Sequence, residues 1–388
     1  MSLSKKILEI SASPTLALNA KAKEMKTSGI EVLNFSVGEP DFETPENVLK
    51  AAHRAIDDGY TKYTPANGLP ILKEAIVAKF KRENDLDYDT SEIVVGSGAK
   101  PLLYATLVAL CDPGDEVIFA APYWVSYLEL VKLADAVPVP VLALEEDDFE
   151  LKAEAVAEKI TEKTKVIILN TPSNPTGGII SEDELRKIAE LVVKHDLYVI
   201  ADEIYERLLY EGKHFCIANV NEEMKKRTIT INGASKTYAM TGWRIGYLGA
   251  DTEIAKPISN FLSHVTGNPN AIAQMAFVEA LNGPQNAVEN MKKEFRKRRD
   301  LFVDGLNSIH GISCKKPAGA FYLYPNFSGL FNKNRQDSMA MASYLLDELH
   351  IAAVPGKVFG TDEHIRFSYA TSVEVIEECL RRLRNISS

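Results

Sequence analysis

Residues 165–202 read KVIILNTPSNPTGGIISEDELRKIAELVVKHDLYVIAD, and this stretch decides the fold class. Lys165–Leu169 and Leu197–Ala201 are short apolar runs bounded by turn and polar residues. Neither has the alternation of a strand with one wet face, so both read as strands buried on two sides. Between them Ser181–Lys194 has helical spacing, and Ser181-Glu-Asp-Glu184 is a capping box at its start. Strand, helix, strand in this order is the repeating unit of a parallel sheet covered by helices.

The alternation continues in both directions. Glu92–Val95, Glu116–Ala120, Thr228–Ile231 and Ile245–Leu248 read as further buried strands. Pro101–Leu110 and Ile254–Leu281 read as helices, and Asp112-Pro-Gly-Asp115 as a turn. The ends differ. Residues 1–45 form a short helix and an extended arm rich in Gly and Pro. After residue 285 comes a long charged helix, Asn286–Ser308, then short strands around Phe321–Tyr324 and His364–Tyr369. The expectation is an α/β chain. A large domain over 46–285 holds a mostly parallel central sheet. A smaller α+β domain spans 286–388, and the 1–45 arm contributes to it.

The chain has 388 residues, 44 Lys and Arg against 54 Asp and Glu, for a net charge of −10. With 46% apolar residues it has ample material for a core, which excludes a disordered chain. The acidic balance argues against a general nucleic-acid binder. The basic tract Lys292–Arg299 is interrupted by Glu294 and Phe295 and followed by Asp300, so it reads as a solvated helix face. Cys111, Cys216, Cys314 and Cys379 are scattered, which fits neither a zinc site nor a disulfide framework. Glu9, Asn19 and Lys21 break up the apolar residues of the first segment, so no signal peptide is expected. No run approaches the about 18 or more apolar residues of a membrane span. A cytoplasmic protein without metal, membrane or nucleic-acid partner is the expectation.

In open α/β sheets, ligands bind beyond the carboxyl ends of the strands. Here those ends carry chemistry. Gly96-Ser-Gly-Ala-Lys100 before Pro101 is a glycine-rich turn opening a helix, suited to a phosphate or simply a strand-to-helix turn. Trp124 follows another strand, as a stacking platform for a flat ring or as core packing. Asn174 lies in a turn of two prolines and two glycines, and its bond to Pro175 is a candidate for the cis form. Asp202 ends a wholly apolar strand, where a carboxylate is costly without a positive partner. That partner is either a nearby arginine or a protonated ring nitrogen on a ligand. Tyr205 lies three residues on, the spacing that shares a face if a helical turn begins there. Lys236 follows a strand among small residues, where a lowered pKa makes an amine nucleophile and a proton carrier. Arg244, in a turn flanked by glycines, suits a phosphate, and Arg366 in an alternating strand suits a carboxylate.

Three segments occur in order: Asn174-Pro-Thr-Gly177, Asp202-Glu-Ile-Tyr205 and Ser235-Lys-Thr-Tyr-Ala-Met-Thr-Gly-Trp-Arg244. Together with Ser13-Pro-Thr-Leu-Ala-Leu-Asn-Ala-Lys-Ala22 at the start and Arg366-Phe-Ser-Tyr-Ala-Thr371 at the end, they resemble the class I/II aminotransferases. These are pyridoxal-phosphate enzymes of fold type I, and the resemblance is to the bacterial aspartate aminotransferase subgroup I-gamma in particular. It implies a three-layer pyridoxal-phosphate-dependent transferase fold, pyridoxal 5′-phosphate as cofactor, and amino transfer from an L-amino acid to a 2-oxo acid with ping-pong kinetics.

The resemblance also implies roles. Lys236 corresponds to the lysine that binds the coenzyme covalently and then shuttles the substrate proton. Asp202 corresponds to the partner of the pyridine nitrogen. Asn174 and Tyr205 correspond to the hydrogen-bond partners of the ring's phenolic oxygen, and Trp124 to the residue stacked on the ring. Gly98, Ala99, Lys100, Ser235 and Arg244 surround the phosphate. Tyr63, in Lys62-Tyr-Thr-Pro65, resembles the tyrosine that reaches the phosphate of a neighbouring subunit, which implies a homodimer. Arg366 and Gly38 would bind the substrate α-carboxylate, with Trp124 and Asn174 beside it.

Lys100 lies where aspartate-preferring members carry a lysine for the distal carboxylate. It is followed by Pro101 where Gln is frequent, a departure at the specificity position. Between Arg244 and Arg296 there is no arginine, so the distal-carboxylate arginine of the other aspartate subgroup has no counterpart there. Aspartate with 2-oxoglutarate is the expected pair. Aromatic, prephenate, alanine and methionine donors are the alternatives within the same chemistry. A carbon–sulfur β-lyase or aminocyclopropane-carboxylate synthase would use the same machinery to break a different bond. A regulator's effector-binding module and a nicotinamide dehydrogenase fit less well, the latter because the glycine turn lacks GxGxxG spacing.

Overall fold

The computed structural model describes residues 3–8, 10 and 14–386; Glu9 and Ser13 lie outside the described residues. Strand β1 (Leu33–Asn34) precedes a seven-stranded sheet. That sheet consists of β2 (Ile93–Gly96), β3 (Glu116–Ala121), β4 (Val137–Leu142), β5 (Thr164–Asn170), β6 (Tyr198–Asp202), β7 (Thr228–Gly233) and β8 (Gly246–Gly249). Its order is β2-β8-β7-β6-β5-β3-β4. Strands β4, β3, β5, β6 and β7 run parallel, and only β8 is antiparallel to its neighbours β7 and β2. Strands β2, β7 and β8 are buried at every position, as their unbroken apolar or small-residue runs require.

Three readings of elements change. Val137-Pro-Val-Pro-Val-Leu142 is a strand that sequence inspection missed, because Pro138 and Pro140 remove ladder donors. It pairs with β3 alone at the sheet edge, where such prolines are tolerated. The stretch Ile254–Leu281 is two helices, Thr252–Val265 and Ala271–Asn282. Gly267 takes a left-handed φ of 67° after the first, and the Asn270 side chain accepts from Ala273 N to cap the second. The Ala99–Leu110 helix begins two residues before Pro101, which sits within its first turn.

The C-terminal part adds β9 (Tyr322–Leu323), β10 (Ile351–Ala352), β11 (Val354–Pro355) and β12 (Ile365–Ser368). Strands β11, β12 and β9 form an antiparallel sheet, and β10 pairs in parallel with β1. The arm is thereby stitched to the far end of the chain. Phe35 joins Phe302 and Phe367 in a core that also takes Tyr205 and Leu208 from the loop after β6. The Asn286–Asn307 helix covers this core. Its basic tract is not wholly a solvated face. Arg298 is buried against Asp41, and Arg299 against Glu211 and Asp300, because the helix presents them inward where acids meet them.

Candidate active site

A cavity of about 600 Å³ opens where the carboxyl ends of the parallel strands meet β9, β12 and the arm. Its lining includes Gly38, Ala99, Lys100, Trp124, Asn174, Asp202, Tyr205, Ser235, Lys236, Arg244 and Arg366, so residues more than 300 positions apart share one space. Gly98 stands just behind it. Tyr63 does not reach it and is 99% exposed.

Asp202 is the last residue of β6, in register with Asn170 on β5 and Ile231 on β7. It is buried, and among the described residues no arginine pairs with it. Tyr127 donates its hydroxyl to Oδ2 at 2.5 Å and the Ile204 amide approaches Oδ1 at 3.4 Å. Among the described residues no ion pair reaches it, and burial pushes its pKa up to about 6. The arginine pairing considered from sequence is therefore absent.

Lys236 sits in the four-residue helix Ala234–Thr237 directly after β7. Its Nζ donates to the Gly38 carbonyl at 2.6 Å. Burial, with Arg244 and Arg366 adding to it, brings its pKa down to about 8, so about a tenth is uncharged at pH 7, far more than for an ordinary lysine.

Arg244 and Gly98 are matched. Gly98 has φ 101°, and a Cβ there would lie 2.5 Å from Arg244 Nη2. Glycine is what lets the guanidinium approach the start of the Ala99–Leu110 helix. The start of this helix, whose first amides have no acceptor within the helix, lines the cavity together with Ser235 and Arg244, a donor set suited to an anion.

Arg366 lies in β12 and is fully enclosed. Nη1 donates to Asn174 Oδ1 at 3.0 Å and Nη2 to the Ser36 carbonyl at 2.8 Å, while Nε has no partner. Its charge faces neutral acceptors and the rings of Tyr322 and Phe359, with no carboxylate in ion-pair distance among the described residues. Burial lowers its pKa. Asn174 is positioned in turn by its backbone amide donating to Asn170 Oδ1 at 2.9 Å, and the Asn174–Pro175 bond is cis. Lys100 Nζ lies 4.9 Å from the centre of the Trp124 ring, and desolvation, then Arg244, lowers its pKa. Trp124 lines the cavity and also packs edge-on against Tyr127, so the core-packing reading describes one side of it and leaves the other facing the cavity.

Sequence reasoning missed two tyrosines. Tyr127 follows Trp124 by three residues, the spacing of one helical turn, which was an available signal. Tyr322 sits in a short, wholly buried aromatic and apolar strand and carried none.

The sequence profile described as aminotransferase class I and II matches residues 30–383. The chain belongs to this family. It is an amino-acid aminotransferase. It is 47% identical to an aspartate aminotransferase of Bacillus sp. (strain YM-2), over 98% of both chains. It is 45% identical to a probable aspartate/prephenate aminotransferase of Rickettsia bellii, over 100% of this chain and 99% of the relative. The solved aspartate aminotransferase of Thermus thermophilus with maleate superposes with a TM-score of 0.96 at 42% identity, covering 100% of each chain. The aminotransferase's three layers, with a mostly parallel sheet between helices, are those expected from the fold-type-I resemblance.

Proposed function

We propose that this aminotransferase binds pyridoxal 5′-phosphate in the cavity and moves the amino group of aspartate to a 2-oxo acid, with 2-oxoglutarate the expected acceptor. The observation that carries the reading is Asp202: a buried carboxylate at a strand end, given hydroxyl and amide donors but no ion pair among the described residues, with Lys236, a lysine of lowered pKa in the same cavity, acting on it only through space. A protonated ring nitrogen is the cation that this site fits.

When bound, the coenzyme supplies an electron sink for the charge left on the substrate carbon. Asp202 would keep the ring nitrogen protonated, and Tyr127 holds that carboxylate in place. Gly98, Ala99, Lys100, Ser235 and Arg244 would hold the phosphate, Trp124 would cover a ring face, and Asn174 and Tyr205 would donate to the ring's phenolic oxygen. Lys236 Nζ would hold the coenzyme and then take the proton from the substrate α-carbon and return it. Arg366, with Gly38, would orient the α-carboxylate: it lines the cavity as a guanidinium whose charge meets no carboxylate among the described residues.

Two lysines line the outer part. Lys357 is shared between Asp337 at 3.4 Å and Asp362 at 3.6 Å. Lys100 has no carboxylate partner among the described residues and is the cation left for a distal carboxylate. The names of the relatives support the same donor. Among the described residues no helix is long and apolar enough to cross a membrane. Four free cysteines support a reducing, cytoplasmic setting. Exposed Tyr63, with exposed Leu3, Ile7 and Leu8, supports a homodimer in which Tyr63 serves the neighbouring site. A core built mainly from the arm and the C-terminal part, with only the loop after β6 entering it from the large domain, supports division into 1–45, 46–285 and 286–388.

Two measurements test this. Lys236→Ala should lose the visible absorbance of the bound coenzyme and all measurable turnover; a variant that keeps both overturns the assignment. In a panel of aspartate, glutamate, alanine and prephenate, followed by the coenzyme's absorbance change, aspartate should react fastest. Lys100→Met should cut the aspartate rate by about 100-fold, the scale of losing a buried charge-assisted contact, and barely change alanine. Aspartate reacting no faster than alanine removes the role given to Lys100.

A further inference from the structure

The hydroxyls of Tyr205 and Tyr322 lie 2.9 Å apart, and both residues are buried. Tyr322 is held in β9 opposite Ser368 of β12, so its place is set by sheet register. Its ring lies under the Arg366 guanidinium, 4.7 Å from centroid to charge, and edge-on to Tyr205 at 5.8 Å and 81°. A Cβ on residue 38 would stand 2.9 Å from the Tyr322 hydroxyl. Gly38 therefore leaves room for this oxygen.

A phenol has one proton to donate. In the proposed function, on which this inference rests, Tyr205 spends that proton on the ring's phenolic oxygen. Its own oxygen then accepts only, and the Tyr322 hydroxyl is the group in reach to donate to it. Burial holds both phenols protonated, raising the pKa of each, while Arg366 beside Tyr322 makes its proton the more readily shared. Chains of hydrogen bonds in a low-dielectric interior polarise one another, so a donor behind Tyr205 strengthens what Tyr205 gives forward.

We propose that Tyr322 is a positioning residue: it donates to the Tyr205 oxygen, aims the Tyr205 proton at the coenzyme's phenolic oxygen, and so tunes the acidity of the bound coenzyme through Tyr205. It needs no contact with the coenzyme. Better donation to a phenolic oxygen stabilises its anion and lowers the pH at which the lysine-bound coenzyme loses its proton.

The test is the pH midpoint of the visible absorption change of the holoenzyme. Tyr322→Phe keeps the ring under Arg366 and should raise the midpoint by about half a pH unit, the scale of a modest change in one hydrogen bond. Tyr205→Phe should raise it further. Adding Tyr322→Phe to Tyr205→Phe should change nothing more. An unchanged midpoint in the single variant, or an equal further shift in the double variant, overturns the proposal. Maleate affinity of Tyr322→Phe should stay within about twofold, since Arg366 keeps its stacking; a tenfold loss without a midpoint shift would instead place Tyr322 at the carboxylate. If the wild type shows no titrating visible band, the coenzyme reading itself fails. A titrating band indifferent to Tyr322 removes this inference alone.

Discussion

Asp202 and Glu206 are buried carboxylates four residues apart on the segment leaving β6, and they have been treated in opposite ways. Glu206 is paired. Lys79 Nζ bonds to one oxygen and Asn84 Nδ2 donates to the other at 2.8 Å. Burial pushes its pKa up, but Lys79, His214 and Asn84 together outweigh burial and hold it below the ordinary value. Asp202 has the burial without the cation, and its pKa rises to about 6. The first arrangement is complete within the chain and serves structure. The second is complete only when something positive is brought to it, which is how a binding site is left open in an otherwise satisfied interior.

The largest contrast expected is in activity. Asp202→Asn should lower amino-transfer kcat by about 1000-fold or more, since the charge that keeps the ring nitrogen protonated is gone. Glu206→Gln should lower it less than about tenfold in the folded enzyme. Equal losses in steady-state assays would erase the distinction between the two acids.

Stability should reverse the order. Lys79→Met leaves Glu206 buried and uncompensated and should cost about 3–5 kcal/mol in urea unfolding. Pairing it with Glu206→Gln should recover part of that loss. A cost below about 1 kcal/mol for Lys79→Met would mean that water, and not the fold, satisfies Glu206.

The smallest effect is the pH dependence, where the signs oppose. The ordinary Asp value is 3.8, and Asp202 sits near 6 in the folded chain. Between these values the unfolded chain releases a proton that the folded one keeps. Without coenzyme, stability therefore falls as pH rises through this window, and the full penalty stands above 6. Asp202→Asn should stabilise the coenzyme-free protein by about 1–3 kcal/mol at pH 7 and by little at pH 4, read from unfolding midpoints. Glu206, held low, contributes stability above its ordinary 4.5 that is lost as pH falls. Coenzyme-free stability that is flat for Asp202→Asn relative to wild type between pH 4 and 7 would show that Asp202 is not desolvated as the structure has it.

Much of this was legible in the amino-acid order. Each of the strands read as an apolar run lies in the central sheet within a residue or two, because burial on both faces demands continuous apolar sequence. The Ser181 cap was visible because its bond to the Glu184 amide closes over three residues. Asp202 and Lys236 stood out because polar groups at or just after the ends of apolar strands need a reason, and Arg366 because it is the cation of a short alternating strand. All such signals act over a few residues, and local sequence determines them.

The tertiary structure decided what lies across space. The strand order β2-β8-β7-β6-β5-β3-β4 is not the chain order, so no local rule names Asp202's neighbour Tyr127, 75 positions away, or brings Tyr322 to Tyr205, 117 away. The prolines of β4 hid a strand that only an edge position permits. Arg298 and Arg299 looked solvated until helix rotation turned them onto Asp41 and Glu211. Whether a buried charge has a partner depends on what the packed elements place within about 4 Å of it, and that distance carries the Coulomb energy. The residue types of the site were therefore set by the sequence. Only the packing made Glu206 a closed ion pair and left Asp202 open.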